Sequence, residues 1–150
     1  MKIVLYQPQI PQNTGNIVRT CSVTGCSLTL VGPLGFSIDD KSLKRAGLDY
    51  WEGVDVNVED NLEAIILKHQ PRIFFFTSKA TKSFYDVEFQ PDDVLVFGAE
   101  THGLPAFVHE KYAENCLKIP MIDKARCLNL ATSVGIATYQ AFRFFPQTLK

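Results

Sequence analysis

The sequence predicts an α/β fold: a single domain over residues 1–150, built on a mostly parallel sheet with helices on both faces. Three observations predict it. Short β-branched or aromatic runs alternate along the 150 residues with segments suited to helices. Two of these runs, Ile73 to Phe76 and Val94 to Phe97, are apolar throughout, as strands covered on both faces are. No linker, repeat or low-complexity tract divides the chain, whose length suits one buried core and is short for two.

The elements follow in order. Lys2 to Tyr6 reads as the first strand. The cluster Asn13-Thr14-Gly15-Asn16 supplies capping oxygens and a permissive backbone, so a helix is expected to begin near Asn16, carry Arg19 on its first turns and end at Thr24. Leu28 to Val31 forms the next strand, Asp40 to Ala46 a helix, Val54 to Val56 a strand, and Asn61 to His69 a helix. The strands from Arg72 to Thr77 and from Val94 to Phe97 come next. A helix from Pro105 to Ala113, a strand from Leu117 to Ile119 and a long helix from about Leu128 to Phe145 complete the chain. On that last helix Leu128, Ala131, Gly135, Thr138 and Phe142 share one seam whose middle is built from small residues. Gly135 costs about 1 kcal/mol relative to alanine inside a helix, so packing on the sheet or against a second helix must offset it.

Composition excludes several classes. Fifteen basic and sixteen acidic residues leave a formal charge of −1, so bulk electrostatics do not mark a nucleic-acid binder, although Lys41, Lys44 and Arg45, or Lys79 and Lys82, could hold phosphates locally. The N-terminal apolar run is too short for a signal segment or a membrane span, which predicts a cytoplasmic protein with no membrane partner. Cys21, Cys26, Cys116 and Cys127 and the three histidines lack metal-ligand spacing, so reduced thiols and no metal are expected.

Four loops are expected to gather at the carboxyl edge of the sheet, where open α/β folds collect ligands. The first carries Asn13, Asn16 and Arg19. Another, Gly98 to Pro105, offers two glycines for close backbone approach and one carboxylate, Glu100. Pro120-Met121 and Arg126 to Ala131 form a further wall, and Thr77-Ser78-Lys79 the last. Singly, each reads equally as a capped turn.

Together these motifs resemble the SPOUT superfamily of RNA methyltransferases, and most of all its small tRNA wobble-nucleotide ribose 2′-O-methyltransferases. Asn13 to Arg19 is similar to that family's first motif, Phe97 to Gly103 to its second and Ile119 to Ile136 to its third. Pro33 to Phe36 and Gly47 to Tyr50 add local similarity. The resemblance implies a C-terminal trefoil knot, a homodimer, and S-adenosylmethionine as cofactor with tRNA as substrate. Carried over by position, it implies a cofactor cradle of Phe76, Thr77, Gly98, Glu100, Ile119, Met121, Cys127 and Leu128. It implies that Arg19 and Asn16 act at the reacting ribose, with Arg19 clamping phosphate and orienting the hydroxyl, across the dimer interface. Asn13, Lys44, Arg45, His102 and Asn129 are the implied substrate contacts, the asparagines either reaching substrate or only capping.

Three positions depart from the family pattern. Cys127 stands where many relatives carry serine, His102 where arginine is frequent, and Gln140 where glutamate is common. They bear on which RNA is read more than on the reaction class. The alternatives are methylation at another tRNA or rRNA site by the same chemistry, and an RNA-binding α/β module without catalysis. The chain lacks both G-x-G-x-x-G after its first strand and a P-loop, so dinucleotide and triphosphate binding fit poorly.

Overall fold

Six strands form one sheet with every neighbouring pair parallel: β1 (Lys2–Tyr6), β2 (Ser27–Val31), β3 (Val56–Glu59), β4 (Ile73–Phe76), β5 (Val94–Phe97) and β6 (Cys116–Leu117). Their spatial order is β3, β2, β1, β5, β4, β6. This is a computed structural model, and it describes residues 1–38, 41, 51, 53–146 and 149. Apart from Lys41, the expected helix from Asp40 to Ala46, with Lys44 and Arg45, and the segment Gly47 to Tyr50 lie outside the described residues.

Parallel strands need crossovers, and the helices α1 (Pro11–Thr24), α2 (Leu62–His69), α3 (Ala106–Lys111) and α4 (Leu130–Phe142) supply cover for both faces. Strand alternation sorts the core accordingly. Ile3, Leu5, Leu28, Leu30, Leu95 and Phe97 point to one face and pack with Ile17, Val18 and Cys21 of α1 and Val134, Ala137 and Ala141 of α4. Val4, Val31, Ile73, Phe75, Val94 and Val96 point to the other and pack with Leu62, Ile65 and Ile66 of α2 and Val108 of α3. At the amino edge a bidentate pair, Arg72 to the buried Asp93 at 2.6 Å, joins the starts of β4 and β5.

The sheet reverses its winding between β1 and β5, so the loops leaving these neighbours diverge and open a crevice at the carboxyl edge. Beyond β5, β6 is lodged between two segments. Phe75 and Phe76 pair with Cys116 and Leu117, while Lys118 accepts from the Phe84 amide at 3.0 Å and donates to the Lys82 carbonyl at 2.9 Å.

Several element boundaries differ from expectation. Helix α1 begins at Pro11 and not near Asn16, because proline at the first helical position has no amide to leave unpaired. Asn13 and Asn16 therefore lie within the helix and do not cap it. Strand β3 starts at Val56, two residues after the start of the expected run, and sits at a sheet edge where its side chains are mostly exposed. Strand β6 ends at Leu117, since Lys118 turns its bonds to Lys82 and Phe84. Helix α3 stops at Lys111, two residues short of the expected Ala113. Helix α4 spans Leu130 to Phe142, shorter than expected at both ends, with Asn129 as its cap.

Candidate active site

The crevice holds a cavity of about 440 Å³ lined by all four loops expected at this edge. Its floor is aromatic: Phe76 and Phe97, the last residues of β4 and β5, stack with ring centres 4.7 Å apart and planes 14° apart. Strand ends place them there, because a side chain on the last residue of a buried strand meets the core on one side and the crevice on the other. Thr77, Gly98, Glu100, Ile119, Met121, Cys127 and Leu128 complete the cradle named from sequence, and every one of its eight residues lines the cavity.

The walls are tied together by one hydrogen-bond chain. The Glu100 carboxylate accepts from the Gln9 amide at 2.8 Å, the Ile10 amide at 3.1 Å and Asn13 Nδ2 at 3.1 Å. Helix α1 has no capping side chain of its own, so this carboxylate, set beside its first turn, takes the cap's place and favours its positive dipole end. Asn13 Oδ1 in turn accepts from Asn129 Nδ2 at 2.9 Å, and Asn129 Oδ1 caps α4 by accepting from the Ala131 and Thr132 amides. Asn13 and Asn129 thus hold the loops, Asn13 as a bridge and Asn129 as a cap, and both line the cavity.

The glycines act differently from expectation. A Cβ on Gly98 would stand 2.2 Å from the Gly103 carbonyl carbon and 2.4 Å from the Leu104 nitrogen. The loop folds back on itself through reciprocal Ala99 and Gly103 backbone bonds, with Gly103 at φ +69°, so Gly98 is required by the loop's own backbone as well as by any ligand.

His102 lines the cavity's exposed rim, where Nε2 lies 3.2 Å from Gln7 Oε1 and Nδ1 lies 3.3 Å from Thr101 Oγ1. Thr101 Oγ1 donates to Gln9 Oε1. Gln7 itself adopts φ +48°, uncommon for a residue with a side chain, at the end of β1. Among the described residues, no group of three or more His, Cys, Asp and Glu side chains could hold a metal, and no helix is long and apolar enough to cross a membrane.

Arg19 and Asn16 do not line the cavity. Both are exposed on α1, on a stripe with Gln12 and Val23 that faces away from the sheet. His109, which no sequence motif marks, lines the cavity from α3 and lies 3.1 Å from Thr77 Oγ1 through its Nε2. No local motif signals it, because its partner is 32 residues away.

Known proteins share this architecture. The chain is 47% identical over 143 residues to the tRNA (cytidine(34)-2′-O)-methyltransferase of Methylovorus glucosotrophus, with 94% of this chain and 93% of that protein covered. It is 43% identical over 145 residues to the protein of the same name from Escherichia coli, covering 95% and 92%. A solved structure from work on the 2-OH methylation of C/U34 on tRNA superposes with a TM-score of 0.88 at 42% identity, covering 97% of this chain and 96% of that one. The family model for the SpoU rRNA Methylase family matches residues 1–139, and on that match the chain belongs to the SpoU methylase family.

Proposed function

We propose that this protein is an S-adenosylmethionine-dependent methyltransferase acting on the ribose 2′-hydroxyl of the wobble nucleotide of tRNA, cytidine or modified uridine 34, in the cytoplasm. One observation carries the reading: the eight residues carried over as a cofactor cradle, spread from position 76 to 128, converge on a single cavity. Its volume lies within the range of small-molecule sites, and an apolar floor with few polar groups fits a nucleoside bearing an aliphatic tail. The relatives of like name and the wobble-methylation structure, matched along nearly their whole length, support the substrate.

When bound, the cofactor would supply a sulfonium methyl group for the 2′-oxygen, with the neutral thioether as leaving group and the hydroxyl proton released to water. The chain's own residues hold and orient the reactants. Phe76 and Phe97 exclude water from the cavity floor, and the Glu100, Asn13 and Asn129 chain fixes the walls against one another. Arg19 serves through its planar guanidinium as phosphate clamp and hydroxyl orienter, with Asn16 one helical turn away. His102 on the rim contacts RNA, as do Lys44 and Arg45.

A homodimer completes the site in this reading. Helices α1 and α4 lie on one face of the sheet and turn exposed stripes outward, Asn16, Arg19 and Val23 on one and Thr132, Ile136 and Tyr139 on the other. Ile136 is 39% exposed, Tyr139 55% and Val23 58%, and Gln140 Nε2 is buried without a partner. A second copy seated there covers this surface and carries its Arg19 to the neighbour's cavity. The lodging of β6 between β4 and residues 82–84 supports the trefoil threading of the family.

Calorimetry with S-adenosylhomocysteine tests the cofactor, and no binding at millimolar ligand rejects it. Labelled cofactor with total tRNA, followed by mapping, should place 2′-O-methyl at nucleotide 34. Label on a base rejects the mechanism, and label on another ribose reassigns the substrate.

A further inference from the structure

Thr77, the first residue past β4, has its amide committed to the Leu117 carbonyl at 2.9 Å, and its carbonyl uses one lone pair on the Ala80 amide at 3.3 Å. Beyond that carbonyl's second lone pair, what it offers the cavity is its hydroxyl. That oxygen has one hydrogen to donate and two lone pairs to accept with, and the Lys79 amide occupies one lone pair at 3.2 Å. His109 Nε2, at 3.1 Å, uses one of the remaining two. If Nε2 carries the proton it donates to the second lone pair, and the threonine hydrogen is left to donate into the cavity. If Nε2 is bare it accepts that hydrogen, and a lone pair is left to accept from the cavity. The other ring nitrogen has no partner among the described residues, so both tautomers are open to His109.

The pair sits at one end of the cavity. His109 projects from α3, on the face of the sheet opposite α1 and α4, whereas Asn13 and Asn129 line the cavity from the α1 and α4 side. This second polar end is set by residues outside the cradle carried over from the family motifs, apart from Thr77 itself.

We propose that His109 is a positioning residue which, through its tautomer, sets whether the Thr77 hydroxyl meets the bound cofactor as donor or acceptor. The inference rests on the cofactor reading of this cavity. Adenine and ribose present both donors and acceptors, so a wall group whose polarity adjusts gains a bond with either, and an aliphatic residue at position 109 leaves the hydroxyl rotor unheld.

The test measures S-adenosylhomocysteine affinity by calorimetry for the wild type, His109→Leu, His109→Gln, Thr77→Val and the Thr77→Val/His109→Leu double variant, with a melting curve for each. His109→Leu is expected to bind roughly five- to tenfold more weakly, as loss of one hydrogen bond allows. His109→Gln, which can donate or accept, should return to within about threefold of wild type, and the double variant should bind no more weakly than the weaker single variant. Saturating ligand should also shift the imidazole ¹⁵N resonances of His109. Wild-type affinity in His109→Leu, full additivity in the double variant, or unchanged ¹⁵N shifts would each overturn the proposal while leaving the cofactor reading standing. Absence of binding by the wild type removes the cofactor reading, and this one with it.

Discussion

Cys127 lies exposed on the cavity wall, whereas Cys21, Cys26 and Cys116 are buried. Burial, with Cys26 nearby, pushes the Cys21 thiol up to about 12, and burial raises Cys26 and Cys116 as well. Thiolate is the reactive form, so only Cys127 should react with a disulfide reagent at pH 8 in the native protein, and all four after denaturation. S-adenosylhomocysteine should slow the native reaction several-fold, and an unchanged rate under saturating ligand would move Cys127 out of the cofactor's reach. The same burial has a stability consequence. The folded protein holds the Cys21 proton more tightly than the unfolded chain, so this contribution is whole below pH 9 and is lost as pH rises toward about 12. At this scale the cavity's lining was legible because its residues lie in short ordered motifs. His109 was not, since only the fold sets it beside Thr77.

Helix α1 shows how an element can depend on a residue 91 positions away. Its entry amides, at Gln9 and Ile10, are satisfied by Glu100 and not by any local side chain. Glu100→Ala should therefore cost about 2 kcal/mol, the sum expected for a lost cap and a lost charge–dipole contact, measured as a lower urea midpoint at unchanged slope. A loss under about 0.5 kcal/mol would show that water serves the helix end equally well. This long-range cap is also why the helix start was misplaced from sequence: the Asn-Thr-Gly-Asn cluster has the chemistry of a cap, but Pro11 begins the helix and the cap arrives from another loop. The central strands β4 and β5 were legible from their continuous apolar runs, while edge strand β3 shifted because solvent on one side weakens the pattern, and β6 because Lys118 bonds to Lys82 and Phe84. Helix α4 carries a second prediction. A Cβ at Gly135 meets nothing within 4 Å among the described residues, so its own sheet gives no packing reason for glycine there. In a monomer Gly135→Ala would gain about 1 kcal/mol from helix propensity. With a second helix pressed on that face the substitution should instead weaken the dimer, seen as monomer in light scattering at concentrations where the wild type is dimeric.

For the whole molecule, the proposed dimer poses the question of which copy's Arg19 would serve which cavity. In the single chain Arg19 lies on the outward stripe of α1, and the cavity is bounded without it. If the site is shared, one protomer contributes the cavity and its partner the guanidinium. Two variants separate these roles. Arg19→Ala leaves the cavity intact, and Gly98→Val breaks the cavity wall, because even a Cβ at that position collides with the Gly103 backbone of its own loop at 2.2 Å. Each variant alone should fall at least a hundredfold in tRNA methylation, with Arg19→Ala keeping its affinity for S-adenosylhomocysteine. Co-expressed and purified as a mixed dimer through two different tags, they should recover close to half of wild-type activity, since one of the two sites then pairs an intact cavity with an intact Arg19. Should arginine and cavity act within one chain, no site in the mixed dimer is whole and activity stays at the level of the parents. The mixed dimer therefore discriminates geometry and not stability, because the folding defect of either variant is present in both outcomes, and full turnover by Arg19→Ala alone would remove the arginine from the reaction altogether.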